Sequence, residues 1–161
     1  MALDIFLKLD TVVGESADKI HRKEIDVLFW SWGMLNTGSA HAGGGAGTGK
    51  GYVKDLTVTK YVDKSSPALM LGCCSGTHYP RALLTVRKVG GKEPIEYLKI
   101  KMEEVFITSI SANGANNCFR LSEELIFNFA KVRMDYTPQK FDGSKGTAIP
   151  FSWDIPSNCT E

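Results

Sequence analysis

Gly44-Gly45-Ala46-Gly47-Thr48-Gly49-Lys50-Gly51 runs directly into Tyr52-Val53-Lys54-Asp55-Leu56-Thr57-Val58-Thr59-Lys60-Tyr61-Val62-Asp63, and the reading of this junction decides the fold. The first part matches the GxxxxGK portion of a phosphate-binding loop, which would make the chain an α/β nucleotide binder. Two features refuse that reading. The residue after Lys50 is Gly51, which has no hydroxyl to hold Mg²⁺. A phosphate loop must also open a helix whose first amides face the phosphates, whereas residues 52–63 are rich in Val, Thr and Tyr and place Leu56, Val58 and Val62 on one face. Residues 43–51 are therefore part of an extended loop over 35–51, and a strand follows.

Strand periodicity continues on both sides. Residues 4–10 alternate, with Ile5, Leu7 and Leu9 on one side and Phe6 and Lys8 on the other, as in a half-buried strand. Residues 12–21 are polar, carry Gly14 and read as a loop. Residues 24–34 predict a second strand, with Ile25, Val27 and Phe29 on one face and Leu28, Trp30 and Trp32 on the other. A strand apolar on both faces is covered on both. Two readings fit: a central strand of a barrel or sandwich, or a strand with one face against another copy of the chain, since paired Trp side chains suit an interface core.

Downstream, Ser65-Ser66-Pro67 supplies an N-cap and a first-turn proline for one short helix that ends near Gly76. Residues 81–89 and 95–111 flank Gly90-Gly91, which suits a hairpin turn because glycine accepts positive φ. Glu103-Glu104 marks a bulge or bend in the second of these strands. After a loop at 113–117, residues 119–138 form another long β run with Leu125, Phe127 and Phe129 at alternate positions. The end, 139–161, reads as a loop, one short edge strand around Phe151 and Trp153, and a flexible tail at 154–161. Six or seven strands and one helix in 161 residues predict a single mainly β domain, a closed or nearly closed barrel or sandwich.

Composition narrows the function. Nineteen Lys and Arg against eighteen Asp and Glu give a net charge of +1, without the basic footprint of a nucleic-acid binder. No apolar run is long enough to span a membrane, and the N-terminus carries no secretory-signal pattern. Cys73, Cys74, Cys118 and Cys159 match no zinc spacing and read as reduced, partly buried thiols, with Cys159 the most accessible. His21, His41 and His78 lack partners at ligand spacing, so each is expected in a surface loop or on one ordinary hydrogen bond. The pairs Glu103-Glu104 and Glu123-Glu124 put neighbours on opposite strand faces and read as solvated or inter-subunit charges, not as an acid and its base. No nucleophile elbow appears, and Asn158-Cys159-Thr160 is read as a chance glycosylation match. No enzyme activity, cofactor or metal is expected.

The series Phe6-Leu7-Lys8-Leu9, Gly14-Glu15-Ser16, Asp18, His21, Glu24-Ile25-Asp26-Val27 and Trp30-Ser31-Trp32-Gly33 resembles the N-terminal signature of haemolysin-coregulated proteins, tube subunits of bacterial type VI secretion systems. Thr59-Lys60-Tyr61-Val62-Asp63-Lys64-Ser65-Ser66-Pro67, Gly76-Thr77-His78-Tyr79-Pro80 and Phe129-Ala130-Lys131-Val132 with Tyr136-Thr137-Pro138-Gln139 agree in order along the chain. Ser152-Trp153-Asp154 departs from the pattern, which often has Gly before the Trp. The resemblance implies a β-barrel of two packed antiparallel sheets with one short helix on its side, closing six copies into a ring. The rings stack into a tube that leaves the bacterial cytoplasm without a signal peptide. Implied partners are other copies of the chain, a valine-glycine-repeat spike protein, sheath and baseplate proteins and small effectors, with no nucleic acid and no membrane insertion. The alternative is a lumen-binding carrier or chaperone. Ser31 is the expected lumen contact; Trp30, Trp32, His41, Gly44, Gly45, Gly47 and Lys50 are candidates for subunit or ring interfaces.

Overall fold

The alternation at the N-terminus becomes β1 (Leu3–Leu9), followed by β2 (Ile25–Asp26), β3 (Phe29–Ser31), β4 (Met34–Leu35), β5 (Tyr52–Val53), β6 (Leu56–Tyr61), α1 (Ser66–Ser75), β7 (Tyr79–Lys88), β8 (Ile95–Asn113), β9 (Ser122–Tyr136) and β10 (Ile149–Asp154). The structure is a computed structural model describing residues 3–38, 49–88 and 94–160. Strands pair in the order β2-β1-β7-β8-β9-β6-β3, with β10 on β9 and with β4 and β5 as a separate ribbon. The Gly90-Gly91 turn lies outside the described residues. The expected mainly β barrel with one short helix is the fold observed.

Residues 24–34, expected as one strand, are instead three short ones, and the break is what closes the barrel. β2 pairs with β1 and β3 pairs with β6, although only Val27 and Leu28 separate them. The Val27 amide donates to the Ile5 carbonyl at 2.9 Å and the Leu28 amide to the Thr59 carbonyl at 2.8 Å. One segment therefore leans first on one end of the sheet and then on the other. The inward face changes parity at this switch: Ile25 and Val27 are buried, Phe29 is 58% exposed, and Trp30 and Trp32 pack on the core. The two apolar faces of the sequence reflect this change of parity.

A second irregularity folds the long strands into two layers. The β7–β8 pairing skips from Tyr79–Val105 to Arg81–Glu103, and the β8–β9 pairing skips from Glu103–Lys131 to Val105–Phe129. Pro80, Glu104 and Ala130 thus lie along one crease across three strands. Proline brings no amide to the ladder, and Glu104 holds a left-handed φ of 54°, so the expected bend at Glu103-Glu104 is present. On one side of the crease Ala82, Leu84, Ile100, Met102 and Val132 face inward; on the other Tyr79, Val105, Ile107, Phe127 and Phe129 do. Bends that carry strands from one layer to the next make the corners of barrels and orthogonal sandwiches.

α1 packs on β8 and ends at Gly76, whose φ of 64° is the left-handed conformation of a helix C-cap. Its start differs from expectation: Ser65 makes no side-chain cap and bonds the Asp63 carboxylate instead. Beneath it lies a buried charge cluster. Lys60 Nζ meets Glu123 Oε1 at 2.6 Å with both side chains at 0% exposure, and also reaches Asp63 Oδ1 and the Tyr61 carbonyl, each at 2.9 Å. Ser66 Oγ donates to Glu123 at 2.7 Å. Glu123, expected as a solvated or inter-subunit charge, is thus a core residue, because it points to the inward face of β9 where Lys60 of β6 awaits it.

His21 also departs from expectation. It is buried rather than set in a surface loop, stacks on Phe6 at 4.3 Å, and puts both ring nitrogens on carboxylates, Glu24 at 2.8 Å and Glu96 at 2.9 Å. This pins the 12–21 loop to the start of β8. Gly14 makes the loop possible, since a Cβ there would sit 2.2 Å from the Glu24 carbonyl oxygen. Of the four free cysteines, Cys73 is half-buried and Cys159 exposed, as expected, while Cys74 and Cys118 are also exposed and so more open than expected.

Candidate functional site

Alternation along a strand writes two surfaces at once, and in this barrel the outward surfaces of the two layers differ in chemistry. The first is built by β3, β6, the start of β9 and the end of β8. The registers align Ser31 with Thr57, Ile126 and Ser109 in one row, and Phe29 with Thr59, Glu124 and Ser111 in the next. Five of these eight residues are hydroxyls and only Glu124 is charged. Inward neighbours on the same strands, Leu56, Val58, Leu125 and Phe127, are completely buried. At the edge of this wall the Arg120 guanidinium lies 4.1 Å from the centre of the Tyr61 ring.

A bulge helps to set this face. The β8–β9 register shifts between Ile107 and Ser109, adding Thr108, whose hydroxyl donates to the Ile126 carbonyl at 3.2 Å. Extra residues of this kind re-aim the side chains that follow. Ser109 and Ser111 consequently point outward while Ile110 returns to the core.

The outward surface of the other layer is a mosaic of ion pairs. Arg81 meets Asp10 at 3.2 Å, Lys131 meets Asp154 at 3.4 Å and Arg133 meets Asp135 at 3.0 Å. Hydrogen bonding from Lys101 draws the Glu103 carboxyl below its usual range. Nearer the start of β8, Arg87 bridges Asp4 and Asp18. That guanidinium, helped by the His21 and Ile20 amides, outweighs burial and holds Asp18 far below the ordinary carboxylate range. Among the described residues no group of three or more His, Cys, Asp or Glu side chains is arranged to hold a metal.

The structure sorts the residues singled out from the sequence. Ser31 is exposed in the hydroxyl wall. Trp30 and Trp32 lie on the barrel's own core, with Trp32 Nε1 donating to the Lys54 carbonyl at 2.9 Å and its ring 6.4 Å from both Phe129 and Phe151. Lys50 lines a groove of about 590 Å³ with Tyr52, Asp55, Glu104 and Asn128, which adjoins the wall, since Asn128 and Asp55, hydrogen-bonded at 2.9 Å, each lie two residues along the chain from Ile126 and Thr57. His41, Gly44, Gly45 and Gly47 lie outside the described residues. Sequence reasoning missed Thr57, Thr59, Ser109, Ser111 and Ile126. Their signal was the hydroxyl alternation Thr57-Val58-Thr59 and Ser109-Ile110-Ser111, which served only to identify strands. The sequence groups Phe29 on one face with Ile25 and Val27, because the change of parity at Leu28 leaves no mark in composition.

Comparison with known proteins agrees with this architecture. Residues 6–136 match the family model described as type VI secretion system effector, Hcp. The chain is 53% identical over 159 residues to Protein hcp1 of Pseudomonas aeruginosa, covering 98% of each. A solved structure described as a type six secretion system protein superposes with a TM-score of 0.94 at 31% identity, over 99% of this chain and 100% of that one. Hcp1 from Salmonella typhimurium superposes at 0.80 with 33% identity, over the whole of both chains. A family model that covers most of the barrel, together with relatives that share its full length, shows that the chain belongs to the Hcp family of type VI secretion system effectors.

Proposed function

We propose that this chain is the tube subunit of a type VI secretion machine, six copies closing into a ring whose lumen is faced by the hydroxyl wall and whose rings stack into a hollow tube. The observation that carries this reading is the contrast between the two outward surfaces. A nearly neutral, hydroxyl-lined wall suits the inside of a conduit, which can hold cargo through weak contacts without trapping it by strong charge pairing. An ion-paired surface suits an exterior that meets other machine parts and solvent.

A six-fold ring joins two different patches on neighbouring subunits and closes. Exposed Leu28, Met34, Leu35 and Tyr52 supply apolar area beside the ribbon of β4 and β5. Trp30, Trp32 and Lys50 remain interface candidates, as do His41, Gly44, Gly45 and Gly47. In this reading the tube is tipped by a valine-glycine-repeat spike, driven by sheath and baseplate proteins, and leaves the cytoplasm with small effectors held against the wall.

Mass measurement in solution, followed by electron microscopy of the assembled species, tests the proposal. Six-membered rings are expected, with Ser31 on the inner circumference. A species that stays monomeric at high protein concentration, or rings with Ser31 on the outside, would overturn it.

A further inference from the structure

Phe29 is the exception on the hydroxyl wall. It is 58% exposed, directly opposite Thr59 and one row from Ser31, and the other apolar residue in the two rows is Ile126 beside Thr57. The core gives no reason for a phenylalanine here, because Val27 and Trp30 already fill the inward positions on either side of the strand switch. An aromatic ring in a field of small hydroxyls offers large, rigid contact area at little conformational cost, the property that concentrates binding energy in a few anchor residues.

We propose that Phe29 is the specificity-determining anchor of the wall, and that its ligand class is a neutral polypeptide surface presenting an apolar side chain flanked by hydrogen-bonding groups. This rests on the reading of the wall as the cargo-facing surface. The charge pattern argues for the ligand class: across both rows Glu124 is the single ionised group, so a charged segment finds no set of counter-charges, whereas Ser31, Thr57, Thr59, Ser109 and Ser111 can donate to and accept from backbone and amide groups. Binding of this kind is insensitive to salt, since screening acts on charge–charge attraction.

The test uses the purified assembled protein and three fluorescein-labelled nonapeptides of sequence Gly-Ser-Thr-X-X-X-Thr-Ser-Gly, with X-X-X as Leu-Phe-Leu, Lys-Lys-Lys or Glu-Glu-Glu, followed by fluorescence anisotropy. The Leu-Phe-Leu peptide is expected to bind best, with an affinity that changes less than about twofold between about 0.1 and 0.5 M NaCl. Phe29→Ser should weaken it at least about tenfold while the assembled mass stays unchanged. Preference for either charged peptide, steep salt dependence, or undiminished binding to Phe29→Ser assemblies would overturn the proposal. Loss of assembly in Phe29→Ser would make Phe29 a subunit contact and overturn it as well. Thr57→Lys separates the two levels of the argument: if it abolishes binding while Phe29→Ser does not, the wall stands and the anchor fails, and if neither changes binding, the wall itself is not the cargo surface.

Discussion

Lys60 Nζ and Glu123 Oε1 stand 2.6 Å apart with no part of either side chain reaching solvent, joining β6 to β9 directly beneath the hydroxyl wall. Breaking a buried pair by removing one partner costs about 3–5 kcal/mol, while replacing both with apolar side chains is far less harmful. Lys60→Met should therefore lose stability of that order by chemical denaturation. The Lys60→Met/Glu123→Leu double variant should recover at least about half of the loss. A double variant as unstable as the sum of its singles would show that the pair is not coupled.

Acid sensitivity should trace to Asp18. Its carboxyl is depressed mainly by hydrogen bonds from Arg87, so its contribution to stability is fully present above the unfolded value of about 3.9 and is lost as pH falls toward the lower folded value. Asp18→Asn should be less stable than the parent at pH 7. The gap in melting temperature should narrow progressively below about pH 4. A gap that stays constant down to pH 2 would contradict the linkage.

Gly72 of α1 faces the Tyr79 hydroxyl so closely that an added Cβ would lie 2.0 Å from it. Gly72→Ala should cost about 1–3 kcal/mol, the usual range for overpacking. Tyr79→Phe, by removing the hydroxyl, should return part of that stability to the Gly72→Ala background. An additive double variant, measured by the same unfolding assay, would place the strain elsewhere.

At the crease, Glu104 holds its left-handed conformation at a cost of roughly 1–2 kcal/mol relative to glycine. Glu104→Gly should be neutral or stabilising by up to about 1 kcal/mol, and Glu104→Val should destabilise by more than the parent's strain because β-branched residues avoid positive φ. Thermal melts should show Glu104→Val melting below the parent and Glu104→Gly at or above it; a Glu104→Gly variant that melts lower would contradict strain at this position.

What could be read from the sequence followed from local chemistry. The period of residues 52–63 marked β-structure after the glycine-rich stretch, found as β5 and β6, the Ser65-Ser66-Pro67 start and Gly76 stop bounded the helix, and Glu103-Glu104 marked the bend. What could not be read depended on partners distant in the chain. Glu123 looks like a surface charge until β6 brings Lys60 beside it, and His21 looks solitary until β8 delivers Glu96. The wall itself exists only through register: Ser31 meets Thr57 and, through β9, Ser109, a set that no window of sequence contains.

That register has a consequence for how the molecule can be rewritten. Along β6, side chains that hold the barrel together and side chains that meet whatever lies outside it alternate one by one, Leu56, Val58 and Lys60 on one side and Thr57, Thr59 and Tyr61 on the other. The two texts share a backbone and no contacts across it. Positions 29, 31, 57, 109 and 126 can therefore be exchanged without touching the core beneath them, and in the ring proposed above each single exchange would be copied around the whole circumference.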